Sequence, residues 1–473
     1  MAGTWLPMEL CFQIIENVFD PSALFSFRLV NRAWNQAASK QLENVAYLSL
    51  DPQSQDDIEK RLSRKETRQS TKGIVICVPE SDYFITRDSF GKILKTDETL
   101  EYRWELKKMF GQRIREFPNL VHIAVHFRPP PKRLGPYETT SDFKGLMIHH
   151  MMVDLFQALY GRRNRLEELS LHCLPAQAML PSTSHGLDPE PYENTQKVLE
   201  DLKLKSLKLA YVGPGVWPPT DVPQWKIFEP PNCWIEPAQA TLRHLSITCW
   251  GFYIVEWSRF GYSRGDMIPH LESLELRGCT FTSDLELKWI LEHKNTLRSL
   301  KFDDCAILHC LQMDIGNSFD SRSRAQKVEK KDGLKMQLCQ IRWQEWFHKI
   351  RAGLPHLNDF QFGSSRIRAP GEEGPVFKSE RVKGPRFEQK PKFLFGLFPD
   401  RYLEMKQALE RAPWILDPPV RKYKKRPQCD KADVVALRLL VKHTRQHVEE
   451  NSTSDHAGYV EDLLGHVKPR ENV

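Results

Sequence analysis

Long apolar runs and closely spaced cysteines are both missing from this 473-residue sequence. Its apolar runs, such as residues 74–78, fall far below the roughly 20 residues that a membrane helix needs. Ten cysteines are scattered from Cys11 to Cys429 without a C-x-x-C pair, which excludes a disulfide-rich scaffold and favours reduced thiols. The first apolar stretch follows no Lys or Arg and contains Glu9 and Glu16, a pattern that is not typical of a secretory signal. We therefore expect a soluble chain in the cytoplasm, the nucleus or both.

A strong excess of one charge is also missing. The chain has 68 Lys and Arg against 61 Asp and Glu, which gives a formal net charge of +7. A mild, intermixed balance of this kind does not indicate a nucleic-acid partner. The basic run RKYKKR at residues 421–426 could serve as a nuclear address or simply be a solvated surface. We expect no membrane partner and no specific nucleic-acid partner.

Recognisable catalytic motifs are scarce. The phosphate-binding patterns G-x-x-x-x-G-K-[ST] and G-x-G-x-x-G do not occur. The run GYSRG, with Ser263 at its centre, matches G-x-S-x-G, but that motif needs a helix directly after the serine and Pro269 leaves almost no room for one. A turn is the interpretation that we prefer. We predict a protein that is not an enzyme, although a triad assembled from distant residues would leave no trace in one sequence.

Three sets of residues have spacings that a metal ion could use. They are Cys305, His309 and Cys310, then His443 and His447, then His122 and His126. A structural zinc site needs four ligands in paired short spacings, and no second pair stands near the first set. The pair at 443 and 447 lacks the glutamate of H-E-x-x-H. We predict no metal and no other cofactor.

One phrase of the form L-x-x-L-x-L recurs along the chain. Its copies, including conservative replacements, are residues 45–50, 120–125, 166–171, 204–209, 242–247, 271–276, 297–302 and 357–362. From residue 166 onward they start 38, 38, 29, 26 and 60 residues apart, whereas regular leucine-rich repeats recur at about 20 to 29 residues. Cys279 and Cys305 take the Asn/Cys position that follows the phrase in such repeats, where a small buried polar group suits the turn. The pattern predicts an irregular repeat.

Helical patterns lie between many copies of this phrase. They cover residues 98–117, 146–160 and 343–353, and Ser283 with Glu286 has the spacing of a capping box. Helix and strand in alternation are typical of a solenoid, which stacks units that could not fold alone. The fold class predicted is therefore α/β, with a leucine-rich-repeat-like solenoid over residues 45–365.

The remaining segments read as loops and a C-terminal region. Loops are expected at residues 128–142, 175–192 and 363–393, where Pro, Gly, Ser and charge dominate. Residues 402–409 and 432–448 carry helical patterns. Residues 366–473 are thus predicted to be a loop-rich linker followed by a mostly helical segment.

The first 44 residues have the pattern of three short helices. Pro7 suits the first turn of one helix. Asp20 followed by Pro21 suits the start of a second helix, and Asn31 can cap a third. A module this small rarely buries enough apolar surface to be stable alone.

This segment resembles the F-box, in the form common among fungal F-box proteins. The resemblance is carried by Leu6-Pro7-x-Glu9, Ile14, Ile15, Val18, Asp20-Pro21, Leu24 and Arg28-Leu29-Val30-Asn31-Arg32-x-Trp34. It covers about residues 4 to 45, under a tenth of the chain. Where many members have Ile-Leu after the glutamate, this chain has Leu10-Cys11, and Val18 replaces a common leucine.

The resemblance implies a three-helix module that docks on the Skp-type adaptor of a cullin-based ubiquitin ligase. The residues it implies for adaptor docking and for the module core are Leu6, Pro7, Ile14, Ile15, Val18, Leu29, Val30 and Trp34. Exposed apolar side chains are expected where such a partner covers them.

An F-box followed by irregular leucine-rich repeats further resembles the substrate receptors of these ligases. Period-two alternation sends one set of polar strand residues away from the leucines. These candidates for the recognition surface are Ser170, His172, Ser206, Lys208, His244, Ser246, Glu275, Arg277, Lys301 and Asp303.

The resemblance predicts a receptor that binds the adaptor, and through it cullin, and holds an unknown target protein for ubiquitin-dependent degradation. An F-box and leucine-rich-repeat interaction protein that acts outside a ubiquitin ligase is the alternative. The sequence does not separate the two.

Overall fold

The computed structural model describes part of the chain. The described residues are 7–16, 24, 26–49, 63–78, 86–87, 93–94, 114–127, 155, 159, 166–175, 197–212, 232–254, 267–314, 326–331, 334–365, 394–398, 401–406 and 429–451. The fold is mixed α/β and is dominated by parallel β-structure.

Helices occur near both ends of the chain and between strands. Their bounds are α1 (Met8–Glu16), α2 (Arg32–Glu43), α3 (Lys65–Ser70), α4 (Asn232–Ala238), α5 (Asp284–Glu292), α6 (Trp343–Gly353) and α7 (Asp430–Asn451), with a 3-10 turn at Ile114–Glu116 and helical residues at 197–202.

Sixteen strands are described, and half of them coincide with copies of L-x-x-L-x-L. Their bounds are β1 (Val45–Ser49), β2 (Gly73–Val78), β3 (Thr86–Arg87), β4 (Ile93–Leu94), β5 (His122–Phe127), β6 (Glu168–Pro175), β7 (Ser206–Val212), β8 (His244–Ile254), β9 (Ser273–Phe281), β10 (Ser299–Asp303), β11 (Ala306–Asp314), β12 (Gln326–Lys331), β13 (Leu334–Cys339), β14 (Asp359–Ser364), β15 (Leu394–Phe395) and β16 (Tyr402–Lys406). All eight copies of L-x-x-L-x-L fall on strands, so that part of the α/β prediction is confirmed.

The chain divides into two compact units. The first unit is Met1–Gly251 with Glu373–Lys390, and the second unit is Phe252–Glu372 with Pro391–Val473.

In the first unit, β1, β2, β5, β6, β7 and β8 lie side by side in chain order, each parallel to the next. Leu169, Leu207 and Leu245 occupy matching positions on three neighbouring strands and are fully buried. Period-two alternation puts these leucines on one face of the sheet and polar residues on the other. The sequence identified β2 only as a short apolar run, because β2 lacks the first leucine of L-x-x-L-x-L.

In the second unit, β9, β10 and β14 form a parallel ladder in which Leu276, Phe302 and Phe362 lie in register. The strand β11 pairs in parallel with β9 and β16, and antiparallel strands β13 and β12 extend from it. The helical prediction for residues 402–409 is wrong over Tyr402–Lys406, which is the strand β16. Short apolar runs do not distinguish helix from strand, and here pairing with β11 decides the structure. Residues 407–409 lie outside the described residues.

A capping box starts α5, as the sequence predicts. The Ser283 side chain accepts a hydrogen bond from the backbone of α5, while the Glu286 carboxylate accepts from the Ser283 N–H at 2.9 Å. Glu286 is fully buried, and burial raises the pKa of its carboxyl despite further hydrogen bonds from Thr282. The cap fixes where α5 begins after β9.

The predicted apolar stripe of α6 lies in the core of the second unit. Trp343, Trp346, Phe347 and Ile350 are all fully buried. The Trp343 ring contacts Phe362 with ring centroids 4.7 Å apart. These aromatic side chains join the helix to the β10 and β14 strands.

One backbone feature occurs twice in the second unit, within β9 and directly after β10. Gly278 has φ +64° and Asp304 has φ +56°, and each directly precedes a buried cysteine, Cys279 or Cys305. The Cys305 thiol donates to the Leu276 carbonyl at 3.1 Å. Both cysteines are buried, but only Cys305 follows the end of its strand, whereas Cys279 lies within β9.

Candidate functional site

The helices α1 and α2 pack on a small apolar cluster. Cys11, Ile15, Leu24, Ala37 and Ala38 are its buried members, and Phe12, Phe27, Ala33, Trp34 and Leu42 pack against it. Residues 24, 26 and 27 are helical and residues 28–30 form a turn, so only part of the predicted second helix is described. Two helices and a few side chains can hide little apolar surface.

The start of α2 is fixed by Asn31. Its side chain accepts a hydrogen bond from the Trp34 N–H at 3.1 Å, and its own backbone is extended. The Trp34 ring stacks on Phe27 with centroids 4.9 Å apart. The cap and the stack hold the turn at residues 28–30 against α2, where its apolar residues face water.

The predicted adaptor-docking residues separate into two groups. Ile15 is buried and Trp34 packs against the cluster, whereas Pro7, Ile14, Leu29 and Val30 are exposed. Leu6 and Val18 lie outside the described residues.

Met8 and Leu10, which the sequence argument did not select, are exposed as well. We call Met8, Leu10, Ile14, Leu29 and Val30 the N-terminal apolar patch. Met8 and Leu10 lie in the sequence between Pro7 and Ile14, two predicted docking residues, and this location could have identified them.

The N-terminal apolar patch stands out by exposure. Leu29 is 88% exposed, Val30 57%, Ile14 44%, and Met8 and Leu10 41% each. Five of the eight exposed large apolar side chains in the described residues belong to it. Leu10 and Ile14 share one face of α1, since they are four residues apart, and Leu29 and Val30 are adjacent in the chain. Neighbouring exposed apolar side chains commonly mark an interaction surface.

The α2 helix leads into the sheet of the first unit without a linker. Asn44 follows α2 and directly precedes β1, and its carbonyl accepts hydrogen bonds from the N–H groups of Lys72 and Gly73 at 2.8 and 3.1 Å. The end of α2 is thus tied to the start of both β1 and β2.

The polar side of the β5–β8 sheet is the second candidate surface, which we call the first polar face. The predicted residues that it holds are Ser170, His172, Ser206, Lys208, His244 and Ser246. Lys208 and His244 are exposed, His172 and Ser246 are half-buried, and Ser170 and Ser206 are buried. The two buried serines offer little surface to a partner.

A charged network lies at the centre of the first polar face. Lys208 Nζ is 2.7 Å from Glu168 Oε1, and His122 Nδ1 is 3.8 Å from Glu168 Oε2. Burial opposes ionisation of Glu168, but Lys208, with His122 and Ser170, outweighs burial, so the pKa of the carboxyl is lowered. Burial lowers the pKa of His122, against the opposing effect of Glu168. The imidazole is therefore held towards its neutral form beside an ionised pair.

A pair of stacked histidines lies along the same face. The His126 and His172 rings are nearly parallel, with centroids 4.2 Å apart, and Cys77 occupies the matching position on β2. His126 and Cys77 were not predicted as recognition residues. Both residues alternate with buried residues along their strands, and this alternation could have identified them from the sequence.

The second polar face, on β9, β10 and β14, holds the other four predicted residues. Glu275 pairs with Lys301 at 2.9 Å, and Arg277 with Asp303 at 3.4 Å. Asp303 is buried and also accepts from the Ser365 N–H and hydroxyl at 2.8 and 2.6 Å. These predicted recognition residues thus bind one another across neighbouring strands.

The cysteine and histidine sets do not form a metal centre in the described part of the chain, where no three His, Cys, Asp or Glu side chains are grouped to hold an ion. His122 and His126 are four residues apart on one strand, which separates them by about 13 Å. Cys305, His309 and Cys310 are all buried on or beside β11. His443 is half-buried on α7, whereas the side chain of His447 is not described.

A buried polar cluster joins α7 to β16 and α6. The Asp433 carboxylate accepts from Arg401 Nε at 3.1 Å, from the Tyr402 hydroxyl at 3.0 Å and from the Gln344 N–H at 3.1 Å. Burial raises the pKa of both the Tyr402 phenol and the Cys429 thiol. A thiol that resists ionisation is a poor nucleophile, so this arrangement favours a structural role.

Other motifs lie outside the described residues, namely GYSRG with Ser263 and the basic run at residues 421–426. Helical residues 155 and 159 and the turn at Ile114–Glu116 are the described parts of two predicted helices.

The comparisons with known proteins add no family. No protein-family model matches the chain, and a search of curated proteins gives no significant match. Among the described helices, none has both the length and the apolar character needed to cross a bilayer. The functional argument therefore rests on the chain's own residues.

Proposed function

We propose that this chain is an F-box-type substrate-recognition subunit of a Skp–cullin–F-box ubiquitin ligase. It would dock the adaptor through the N-terminal apolar patch and a target protein through the polar strand faces. The observation that carries the proposal is the exposure of Leu29, Val30 and Ile14 beside a small, closed cluster.

Physical reasoning supports a partner at this position. Leu29 and Val30 are adjacent in the turn that precedes α2, and Ile14 lies on α1, which packs against α2. Covering apolar surface gains about 25 cal/mol for each square ångström removed from water. Ile14, Leu29 and Val30 are positions of the F-box pattern. Burying their exposed apolar side chains under a partner would therefore be favourable.

The strand faces support the second half of the proposal. Parallel strands with buried leucines form a rigid frame, and the alternate residues present polar side chains to a protein partner. A receptor of this kind contributes proximity and orientation, so it requires no catalytic residue of its own.

The test is co-purification of the full chain with the Skp-type adaptor and cullin. Val30→Asp places a charge in the N-terminal apolar patch, and Val435→Asp is the matched control, because these two valines are 57% and 55% exposed. The intact chain and Val435→Asp should retain adaptor and cullin, whereas Val30→Asp should lose both. Circular dichroism should show unchanged helical content in both variants, since both positions are exposed.

Other results of the co-purification would support the alternative function or reject the proposal. Adaptor without cullin would select the alternative, an interaction protein that acts outside a ligase. If the intact chain retains no adaptor, or if both variants lose it equally, the F-box proposal fails.

A further inference from the structure

A second apolar surface lies on the outward side of α7. Val435 is 55% exposed and Leu439 is 40% exposed, and Ala432 is exposed as well. Because about 3.6 residues make one helical turn, these three positions share one face of the helix. We call them the α7 stripe. Outside the N-terminal apolar patch, Val435, Leu439 and Met267 are the only exposed large apolar side chains in the described residues.

Packing on the core of the second unit does not use the α7 stripe. Leu437, Leu440 and Val441 are buried on the core side of α7, where the Gln344 N–H of α6 donates to Asp433. Together with the α7 stripe, apolar residues extend round roughly two thirds of the helix circumference, at about 100° per residue. A helix that packs on one neighbour needs an apolar stripe of only about 100° or a little more. The α7 stripe is therefore suited to a second packing partner.

Lysines border the α7 stripe on one side. Lys431 and Lys442 are exposed, and helical spacing puts both on the same side of the stripe. A partner helix with carboxylates beside its own apolar face would match both the stripe and the lysines. A second copy of the chain, docked antiparallel by the same stripe, would instead bring lysine against lysine, which is unfavourable.

A segment with the matching pattern follows α7 in the sequence. Residues 459–467 read YVEDLLGHV and lie outside the described residues. Their apolar positions have the spacing of one helix face, and Glu461 and Asp462 fall on its two sides. An acidic amphipathic helix is therefore expected from this pattern. Its apolar residues are Tyr459, Val460, Leu463, Leu464 and Val467.

The connection between α7 and this segment is long enough for the segment to reach the α7 stripe. The helix α7 ends at Asn451, which lies about 18 Å along the helix axis from Leu439. Residues 452–458 read STSDHAG and span up to about 23 Å when extended. Ser, Asp and Gly are residues that suit turns. The segment can thus return to Leu439 and run antiparallel to α7 towards Lys431.

We propose that residues 459–467 dock on the α7 stripe of the same chain as an amphipathic helix. They would occupy a surface that otherwise fits a separate acidic amphipathic helix. A short tether gives the segment an effective concentration of about millimolar, so that even a weak contact keeps the surface covered. The inference does not rest on the ligase role, because the adaptor is proposed to bind a different surface, on α1 and the turn before α2.

The experiment measures binding of the segment to the full chain when it is supplied as a separate peptide. Leu463→Asp combined with Leu464→Asp disables the chain's own segment and gives the open variant, in which the α7 stripe is free. A fluorescein-labelled peptide of residues 455–470 should bind the open variant in an anisotropy titration. It should bind the intact chain at least about tenfold more weakly, because the tethered segment competes. A peptide of scrambled order is the control and should not bind.

Two leucines of equal exposure form a matched pair of substitutions. Leu439 on α7 is 40% exposed and Leu10 on α1 is 41% exposed. In the open variant, Leu439→Asp should weaken peptide binding at least about tenfold, whereas Leu10→Asp should change it less than about twofold. Adaptor retention should show the reverse pattern. Val435→Ser is a milder change that should weaken peptide binding about threefold and serves if Leu439→Asp disturbs α7.

Several results would overturn the inference. No binding of the peptide to the open variant would reject the docking, and so would equal binding to the open variant and the intact chain. Equal binding of the scrambled peptide, or equal losses from Leu439→Asp and Leu10→Asp, would mean unspecific apolar attraction. A dimer of the intact chain in analytical ultracentrifugation that Leu439→Asp dissociates would assign the α7 stripe to a second copy.

Failure of this inference and failure of the ligase proposal give different results. A chain that binds the peptide as expected but retains no adaptor would reject the ligase proposal alone. A chain that retains the adaptor but whose open variant binds no peptide would reject the docking on α7 alone.

Discussion

The N-terminal helices and the second unit place their apolar side chains differently. At the N-terminus, buried Ile15 follows an Ile14 that is 44% exposed, and Leu29 lies almost entirely in water. In the second unit, Trp343, Trp346 and Phe347 are fully buried in one aromatic cluster. A region that leaves apolar side chains in water can gain by covering them, whereas one that has buried them has little more to gain. This difference supports the proposed docking of a partner at the N-terminal helices.

The largest expected effect is in the aromatic core of the second unit. Trp343→Ala should destabilise that unit by about 3 to 5 kcal/mol, because a large buried ring is lost and the space cannot close. Denaturant unfolding followed by near-ultraviolet circular dichroism measures this. An effect below about 1 kcal/mol would mean that the core repacks easily and would weaken the contrast with the N-terminus.

The next effect concerns the buried carboxylate of α7. Asp433→Asn should cost about 3 kcal/mol, because the buried Arg401 would keep only the exposed Asp430 as a charged partner. Asp430→Asn is the control on the same arginine; its side chain is 75% exposed, so the loss should stay below about 1 kcal/mol. Urea unfolding of both variants tests this, and equal losses would argue against a burial effect.

Acid should destabilise the second unit through His293. This ring is buried, with the Ile268 N–H donating to Nε2 at 3.2 Å and Nδ1 bonded to the Trp289 carbonyl at 3.0 Å. Burial lowers the pKa of His293 from 6.5 to about 4. The folded state thus binds fewer protons than the unfolded state between these values. Stability is complete above pH 6.5 and is lost as the pH falls towards 4.

The loss from His293 should reach at most roughly 3 kcal/mol near pH 4, since one pKa unit corresponds to about 1.4 kcal/mol. Denaturant unfolding at several pH values would measure the slope. In a His293→Gln variant the slope over this window should be smaller. An unchanged slope would show that other groups cause the acid sensitivity.

A smaller effect separates two adjacent isoleucines at the N-terminus. Ile15→Ala should cost about 2 kcal/mol and lower hydrogen-exchange protection of α2 about 30-fold. Ile14→Ala should leave that protection within about a factor of two, since its side chain is largely in water. If Ile14→Ala loosened α2 as much, the patch would be part of the core and would not be available for docking.

The smallest effect belongs to the cap of α5. Ser283→Ala should cost about 1 kcal/mol, because it removes the acceptor for an N-terminal N–H and leaves Glu286 with one donor fewer. Thermal unfolding would detect a small fall in the melting temperature of the second unit. No change would indicate that the Glu286 bonds to backbone N–H groups are sufficient.

Local patterns predicted the strands that repeat and the helices that have clear caps. The leucine phrases found β1, β5 to β10 and β14, and Ser283 with Glu286 located the start of α5. The patterns failed where pairing decides structure: β16 was expected to be helix, and β2 and the antiparallel strands β12 and β13 were not predicted.

The candidate site was predicted less completely than the fold. Alternation assigned Ser170 and Asp303 to the polar side correctly, but alternation does not predict that both side chains are buried there. His126 and Cys77 on the first polar face were not selected, although each alternates with buried residues of its strand. The F-box pattern likewise could not separate Ile14 from Ile15, since both are apolar and only three-dimensional packing distinguishes them.

The ladder between β10 and β14 has a consequence for how this chain can change. Ser299 to Asp303 stay in register with Asp359 to Gly363, although β11, β13 and α6 all lie between them in the chain. Closing a long segment between two paired strands costs only slightly more conformational entropy than closing a shorter one. A longer connection between β11 and β12 should therefore weaken this ladder little, whereas α6 supplies buried side chains to the core and should not tolerate an insertion. The connection between β11 and β12 is therefore the place to insert a reporter or an epitope.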